Sequence, residues 1–160
     1  MEGDIVEQRL GHGEELFLAG GNYLAHTGDE LAIDTKFAGV KGLFSATGLF
    51  LLKITGPGTV FFNAYGALHE VVPGPEGYVV DNDHIVGFTS GLDYEITRFN
   101  GTKGLFASGE GLVCRFRGQG RLWMQTRNPR SLASFLDPFR PEGASLSDTV
   151  DAAEGVFGGD

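Results

Sequence analysis

The sequence predicts an all-β, internally duplicated antiparallel domain, packed as a sandwich or a rolled barrel, and three observations carry that expectation. The chain matches itself when shifted by 62 positions, which aligns residues 4–65 with 66–127 without a gap. Its apolar runs are short, alternate with period two and are punctuated by Gly, Pro, Asn and Asp, the pattern of strands joined by tight turns. Glycine supplies 26 of the 160 residues, and helical spacing is almost absent.

The self-match clusters rather than scatters. Gly39/Gly101, Gly42/Gly104, Leu43/Leu105, Phe44/Phe106, Gly56/Gly118 and Gly58/Gly120 are identical, and apolar positions stay apolar in Leu18/Val80, Leu24/Val86, Leu52/Cys114, Ile54/Phe116, Val60/Leu122 and Phe62/Met124. Each copy is expected to form five or six strands. The clearest unit is "LFLLKIT", which turns at Gly56, Pro57 and Gly58 into "TVFFNAY"; its counterpart turns at Gly118, Gln119 and Gly120. Both read as hairpins, because glycine supplies the positive φ that short hairpin loops need. After the second copy only "PRSLASFL", from Pro129, has helical character. Beyond Pro141 the chain is acidic, small and poor in apolar anchors, so it is expected to be disordered. The expected organisation is one β domain over residues 1–140, made of repeats 4–65 and 66–127 with a short C-terminal extension, then an acidic tail over 141–160.

Bulk composition narrows the function. A chain of this length buries roughly 68–70% of its unfolded surface, and 13 Phe supply a core without disulfides or metals. The net charge of −9 opposes wholesale wrapping of nucleic acid or adhesion to an anionic membrane, both of which need clustered positive charge. Cys114 is the sole cysteine, so no internal disulfide or CxxC pair exists. The opening "MEGDIVEQRL" lacks the apolar run of a signal peptide, and no run approaches the ~20 apolar residues of a membrane span. A soluble, cytoplasmic protein is expected.

"AIDTKFAGVKGLFSATGLFLLKITGPGTVFFNAYGALHEV", followed by "GEGLVCRFRGQGRLWMQTRNP", resembles the family of the yeast altered inheritance of mitochondria 24 protein over about residues 4–140. The resemblance implies a fold similar to that of the tryptophan RNA-binding attenuation protein, an antiparallel double-stranded β-helix or sandwich that often assembles into oligomers. It implies no catalytic residues, because most members have no known function and fold analogy cannot supply them. Many members carry a further N-terminal β segment ahead of the stretch matching "GDIVEQRL". Here Met1 falls almost on the repeat boundary, so the chain is read as a short family form or as one whose sheet edge a neighbouring subunit must cover.

Several short motifs invite chemistry, and each has a plainer explanation. "DNDH" at Asp81–His84 offers two carboxylates and an imidazole to a cation, yet its first-copy counterpart is Ala19, Gly20, Gly21 and Asn22, a turn, and Asp, Asn and Gly interchange in turns. His26 aligns with Phe88 and is expected on a packed strand face; His12 and His69 stand apart from it. The convergent histidines and carboxylate of a metalloenzyme are not spaced here, so a metal-dependent enzyme ranks last. Cys114 aligns with Leu52 and is expected to be a buried, inert thiol. The loops "GVKGLF" and "GTKGLF" lack the spacing and following helix of a phosphate loop.

One strand face is unlike its counterpart. Alternation through the second turn unit puts Leu112, Cys114, Phe116, Leu122, Met124 and Thr126 on one side, leaving Arg115, Arg117, Arg121, Trp123, Gln125 and Arg127 on the other. The first copy shows Lys53, Thr55, Thr59, Phe61, Asn63 and Tyr65 there. Half of the chain's 12 Lys and Arg lie between Arg115 and Arg140. Arginine beside tryptophan is enriched where proteins meet, so this face and an exposed sheet edge point to a non-catalytic, self-associating or scaffold domain that forms a homo-oligomer and needs no cofactor. The alternatives are a solvated polar face, or an anion- or RNA-binding module that uses Trp123 as a stacking platform.

Overall fold

The structure, a computed structural model, describes residues 3–35, 51–98 and 112–140. Twelve strands form within them: β1 Ile5–Leu10, β2 Glu15–Ala19, β3 Tyr23–Thr27, β4 Ala32–Asp34, β5 Leu51–Thr55, β6 Gly58–Asn63, β7 Leu68–Val71, β8 Tyr78–Asp81, β9 Ile85–Thr89, β10 Leu92–Arg98, β11 Leu112–Gly118 and β12 Leu122–Gln125. The ladders between them are antiparallel, as the all-β class requires. They lie in a compact unit that ends at Asn128, and helix α1, Pro129–Leu136, belongs to a second unit that begins at Pro129. In α1 the residues Leu132, Phe135 and Leu136 are exposed.

Three sheets result, with strand orders β1-β6-β3, β10-β11-β8 and β4-β5-β2-β9-β12-β7. Moving 62 residues along the chain carries β1-β6-β3 onto β7-β12-β9 and β4-β5-β2 onto β10-β11-β8. One core, with Leu10, Leu16, Leu18, Ile54, Val60 and Phe62, fills the space between β1-β6-β3 and β4-β5-β2. A second core, with Val80, Phe88, Cys114, Phe116 and Leu122, fills the space between β10-β11-β8 and β9-β12-β7. The six-stranded sheet is therefore packed on both faces: Leu16 and Leu18 point into the first core, and Phe17 and Ala19 into the second.

The turns at Gly56–Gly58 and Gly118–Gly120 are not the hairpins that the sequence suggests. β5 pairs with β2 and β4 while β6 pairs with β1 and β3, so the first turn is a corner that carries the chain between facing sheets. The second does the same between β11 and β12. Ile54 and Val60 meet across the first core, as Phe116 and Leu122 do across the second. Period-two alternation is the same for a hairpin and for a corner, so the pattern alone does not separate them. Gly118 makes its corner at φ 108°, where a Cβ would sit 2.6 Å from the Gly91 carbonyl oxygen. Hairpin neighbours are instead β4 with β5 and β10 with β11. The "KGLF" stretches at 41–44 and 103–106 lie outside the described residues, as does the 141–160 tail.

The halves join where β2 pairs with β9, with Leu16 opposite Thr89, Phe17 opposite Phe88 and Leu18 opposite Gly87. Phe17 and Phe88 stack across the seam with centroids 5.1 Å apart. At Gly87 a Cβ would lie 2.7 Å from the Phe17 carbonyl oxygen and 3.0 Å from Leu18 Cδ1, so a side chain there would push the two strands apart. Gly87→Val should cost about 1–3 kcal/mol through overpacking, read as a lower urea midpoint, whereas the same change at Gly74, where a Cβ meets nothing within 4 Å, should cost far less.

Candidate functional site

The six residues expected on one exposed face do not share one. Trp123 is 1% exposed and Gln125 7% exposed. β12 lies inside the six-stranded sheet with a core on each side, so neighbouring residues on opposite faces are both covered: Leu122 enters the second core and Trp123 the first. A strand buried on both faces has no outward side for alternation to mark. Trp123 packs edge-on against Phe62, with centroids 5.5 Å apart, and its indole N–H donates to Glu70 Oε2 at 2.8 Å. Arg121 lies over the indole at 5.0 Å, with its guanidinium 3.9 Å from the same carboxylate. The ring is thus covered and cannot serve as a platform for a nucleic-acid base.

The other arginines are distributed elsewhere. Arg115 and Arg117 are exposed on β11, in a different sheet, and the ladder sets them opposite Glu95 and Asp93 of β10. Opposite charges facing across a ladder make a balanced polar surface rather than a cationic patch. Arg127 is exposed with its guanidinium 5.8 Å from the centroid of the Tyr65 ring.

Gln125 has a structural task. Its side-chain oxygen accepts from the Tyr65 backbone N–H at 3.0 Å and from Asn22 Nδ2 at 3.2 Å, while its Nε2 donates to the Asp83 carbonyl at 3.2 Å. The "DNDH" stretch is the turn expected of it: residues 82–84 form a 3-10 turn whose Asp81 side chain accepts from the Asp83 N–H at 2.9 Å. His84 Nδ1 lies 2.7 Å from the Gln125 carbonyl, so that nitrogen carries the hydrogen. Asn22, at the matching position of the first copy, donates to the Asn63 carbonyl at 2.8 Å. Among the described residues no three His, Cys, Asp or Glu side chains gather as a metal would need. His26, expected on a packed face, is exposed, 2.6 Å from the Tyr23 hydroxyl.

The feature that sequence reasoning missed is a cleft of about 520 Å³. Leu68, Tyr78, Val79, Val80 and Met124 give it apolar walls, and His69 and His84 also line it. It opens between β8, an end strand of one sheet, and β7 and β12 of another. Val79 is 46% exposed there, and Leu24 on β3, another end strand, is 45% exposed. Nothing in the pattern marks them: Leu24 and Val86 are both apolar, yet Val86 is fully buried.

Cys114 is fully buried, as expected, and burial pushes its thiol up to about 12 from 9.0. Tyr94 rises to about 12 from 10.0, mainly through burial and secondarily through a charged Cys114.

Comparison with known proteins agrees with the resemblance. The family model described as "Mitochondrial biogenesis AIM24" matches residues 1–127. An uncharacterized protein of Streptococcus pyogenes serotype M6 is 30% identical over 145 residues, which cover 89% of this chain and 58% of that protein. A crystal structure of another Streptococcus pyogenes protein superposes with a TM-score of 0.69 at 28% identity, over 86% of this chain and 61% of that one. The chain therefore spans about three fifths of the length of these relatives. No helix among the described residues is long and apolar enough to cross a membrane.

Two expectations follow. Trp123→Ala should cost about 3–5 kcal/mol in equilibrium unfolding, as a core truncation does. Because the folded thiol holds its proton up to about 12 and an unfolded one only to about 9, the folded state binds more protons between those values. Stability should therefore be intact below pH 9 and fall as pH rises toward 12, and Cys114→Ala should flatten that fall.

Proposed function

The chain belongs to the AIM24 family, and we propose that it serves there as a non-catalytic, cytoplasmic scaffold domain, built as two copies of one β unit, that works by associating with itself. The observation that carries this reading is apolar exposure at open sheet edges. Leu24 on β3 and Val79 on β8 are each about half exposed at the end of a three-stranded sheet, where charged or prolyl residues would otherwise discourage pairing. The recurrence of both three-strand orders 62 residues apart supports the two-copy reading. The polar groups that do converge, Asn22, Gln125 and His84, direct their hydrogen bonds to backbone groups, which suits a structural role better than a catalytic one. An unpaired, buried thiol suits a reducing compartment.

The Arg/Trp face carries no part of this association, because Trp123 is buried. An apolar contact between chains of net charge −9 should strengthen as salt screens their repulsion. Light scattering after size exclusion should therefore show an oligomer that persists or grows at high salt. A monomer at every concentration and salt level would overturn the proposal.

A further inference from the structure

We propose that the outer edge of β8 takes β3 of a second copy of this chain, in the register that β2 and β9 use inside one chain. This rests on the self-association reading and names its contact. The template is internal. Among the described residues six strands end sheets: β1, β3, β4, β7, β8 and β10. Shifted by 62 residues, β1 and β7 correspond and both are ends, as do β4 and β10. Only β3 and β8 differ, because their counterparts β9 and β2 pair with each other. Among the described residues this joint is made once internally, and one half of it stands open at each of two edges.

The cleft beside β8 is the same joint without its filling. In the first core, the second half of the chain contributes Val86, Trp123 and Leu68 to the space beside Leu16, Leu18, Phe62, Ala64 and Val6. The counterparts of those five are Tyr78, Val80, Met124, Thr126 and Leu68, and all five line the cleft. The counterparts of the three fillers are Leu24, Phe61 and Val6. Leu24 is 45% exposed where Val86 is fully buried. A second copy docking through β3 thus brings Leu24 and Phe61 to an apolar cleft of about 520 Å³. There Phe61 meets Met124 as Trp123 meets Phe62.

The register fits as well. Transposed from the internal seam, it sets Tyr78 opposite Thr27, Val79 opposite His26 and Val80 opposite Ala25. Ala25 stands at the position of Gly87, the tightest point, so the two strands must part slightly there to admit its Cβ. Each chain offers one β3 edge and one β8 edge, so every copy can take a neighbour at each, and two copies that do so reciprocally form a closed, symmetric pair.

The test is a disulfide in trans. His26→Cys chains are mixed with differently tagged Val79→Cys chains under mild oxidation; both positions are exposed, and Cys114 is buried and does not compete. Opposed strand residues lie within disulfide reach. Heterodimers linked between 26 and 79 are expected, well above the yield when Val72→Cys, 68% exposed on another segment, replaces Val79→Cys. In scattering, Leu24→Lys and Val79→Lys should each raise the dissociation constant at least roughly tenfold, with circular dichroism unchanged, while Val72→Lys leaves it unaltered. Wild-type oligomers that ignore both substitutions and give no specific 26–79 link would overturn this contact but keep self-association. A wild-type monomer would overturn both.

Discussion

The pairing of β2 with β9 is the contact on which the rest of the molecule depends, because neither half of the chain closes its own core. The first core takes Trp123, Val86 and Leu68 from the second half, and the second takes Phe17, Ala19 and Leu51 from the first. Burial of apolar area drives both exchanges, and a whole buried side chain is worth about 1.5–3 kcal/mol. The two cores are thus coupled through one sheet. A residue at the seam reports on both halves, whereas most core residues report on one.

That exchange explains the residue that stands out in the sequence. A lone tryptophan among arginines resembles a contact surface, yet its neighbours in the fold are Phe62, Glu70 and Arg121. The indole fills the interior and hands its one polar atom to a carboxylate at the boundary. Arginine over the ring extends that cover. Two of the four arginines lie on β11 and the other two flank β12, so proximity in sequence did not become proximity of charge.

The same packing logic separates open edges from finished ones. Strands β1 and β7 end their sheets in both halves, and so do β4 and β10, as a fold built to stop there would have them. At β3 and β8 the apolar character of a buried seam persists on strands that have a neighbour on one side only among the described residues. The cleft walls beside β8 are made from the same positions that surround Trp123 and Val86 in the first core.

Class, the identity of most core positions and the burial of Cys114 are legible in the sequence, because they follow from local alternation and turn chemistry. Ile54, Val60, Cys114, Phe116 and Leu122 are buried as their spacing indicates. The turn at 81–84 is likewise local, set by an Asp side chain reaching a backbone N–H two residues on. Strand partnership was decided by the tertiary structure alone. Alternation says that a strand has two faces but not how many of them are covered, so it puts Trp123 and Gln125 in solvent, and alignment with the buried Phe88 puts the exposed His26 in the interior. Glycine at 56, 58, 118 and 120 permits a reversal but does not say whether the returning strand pairs with the one it left or crosses to the facing sheet. Which sheet each strand joins, and so where the open cleft falls, depends on contacts between strands well separated along the chain, which local spacing cannot encode.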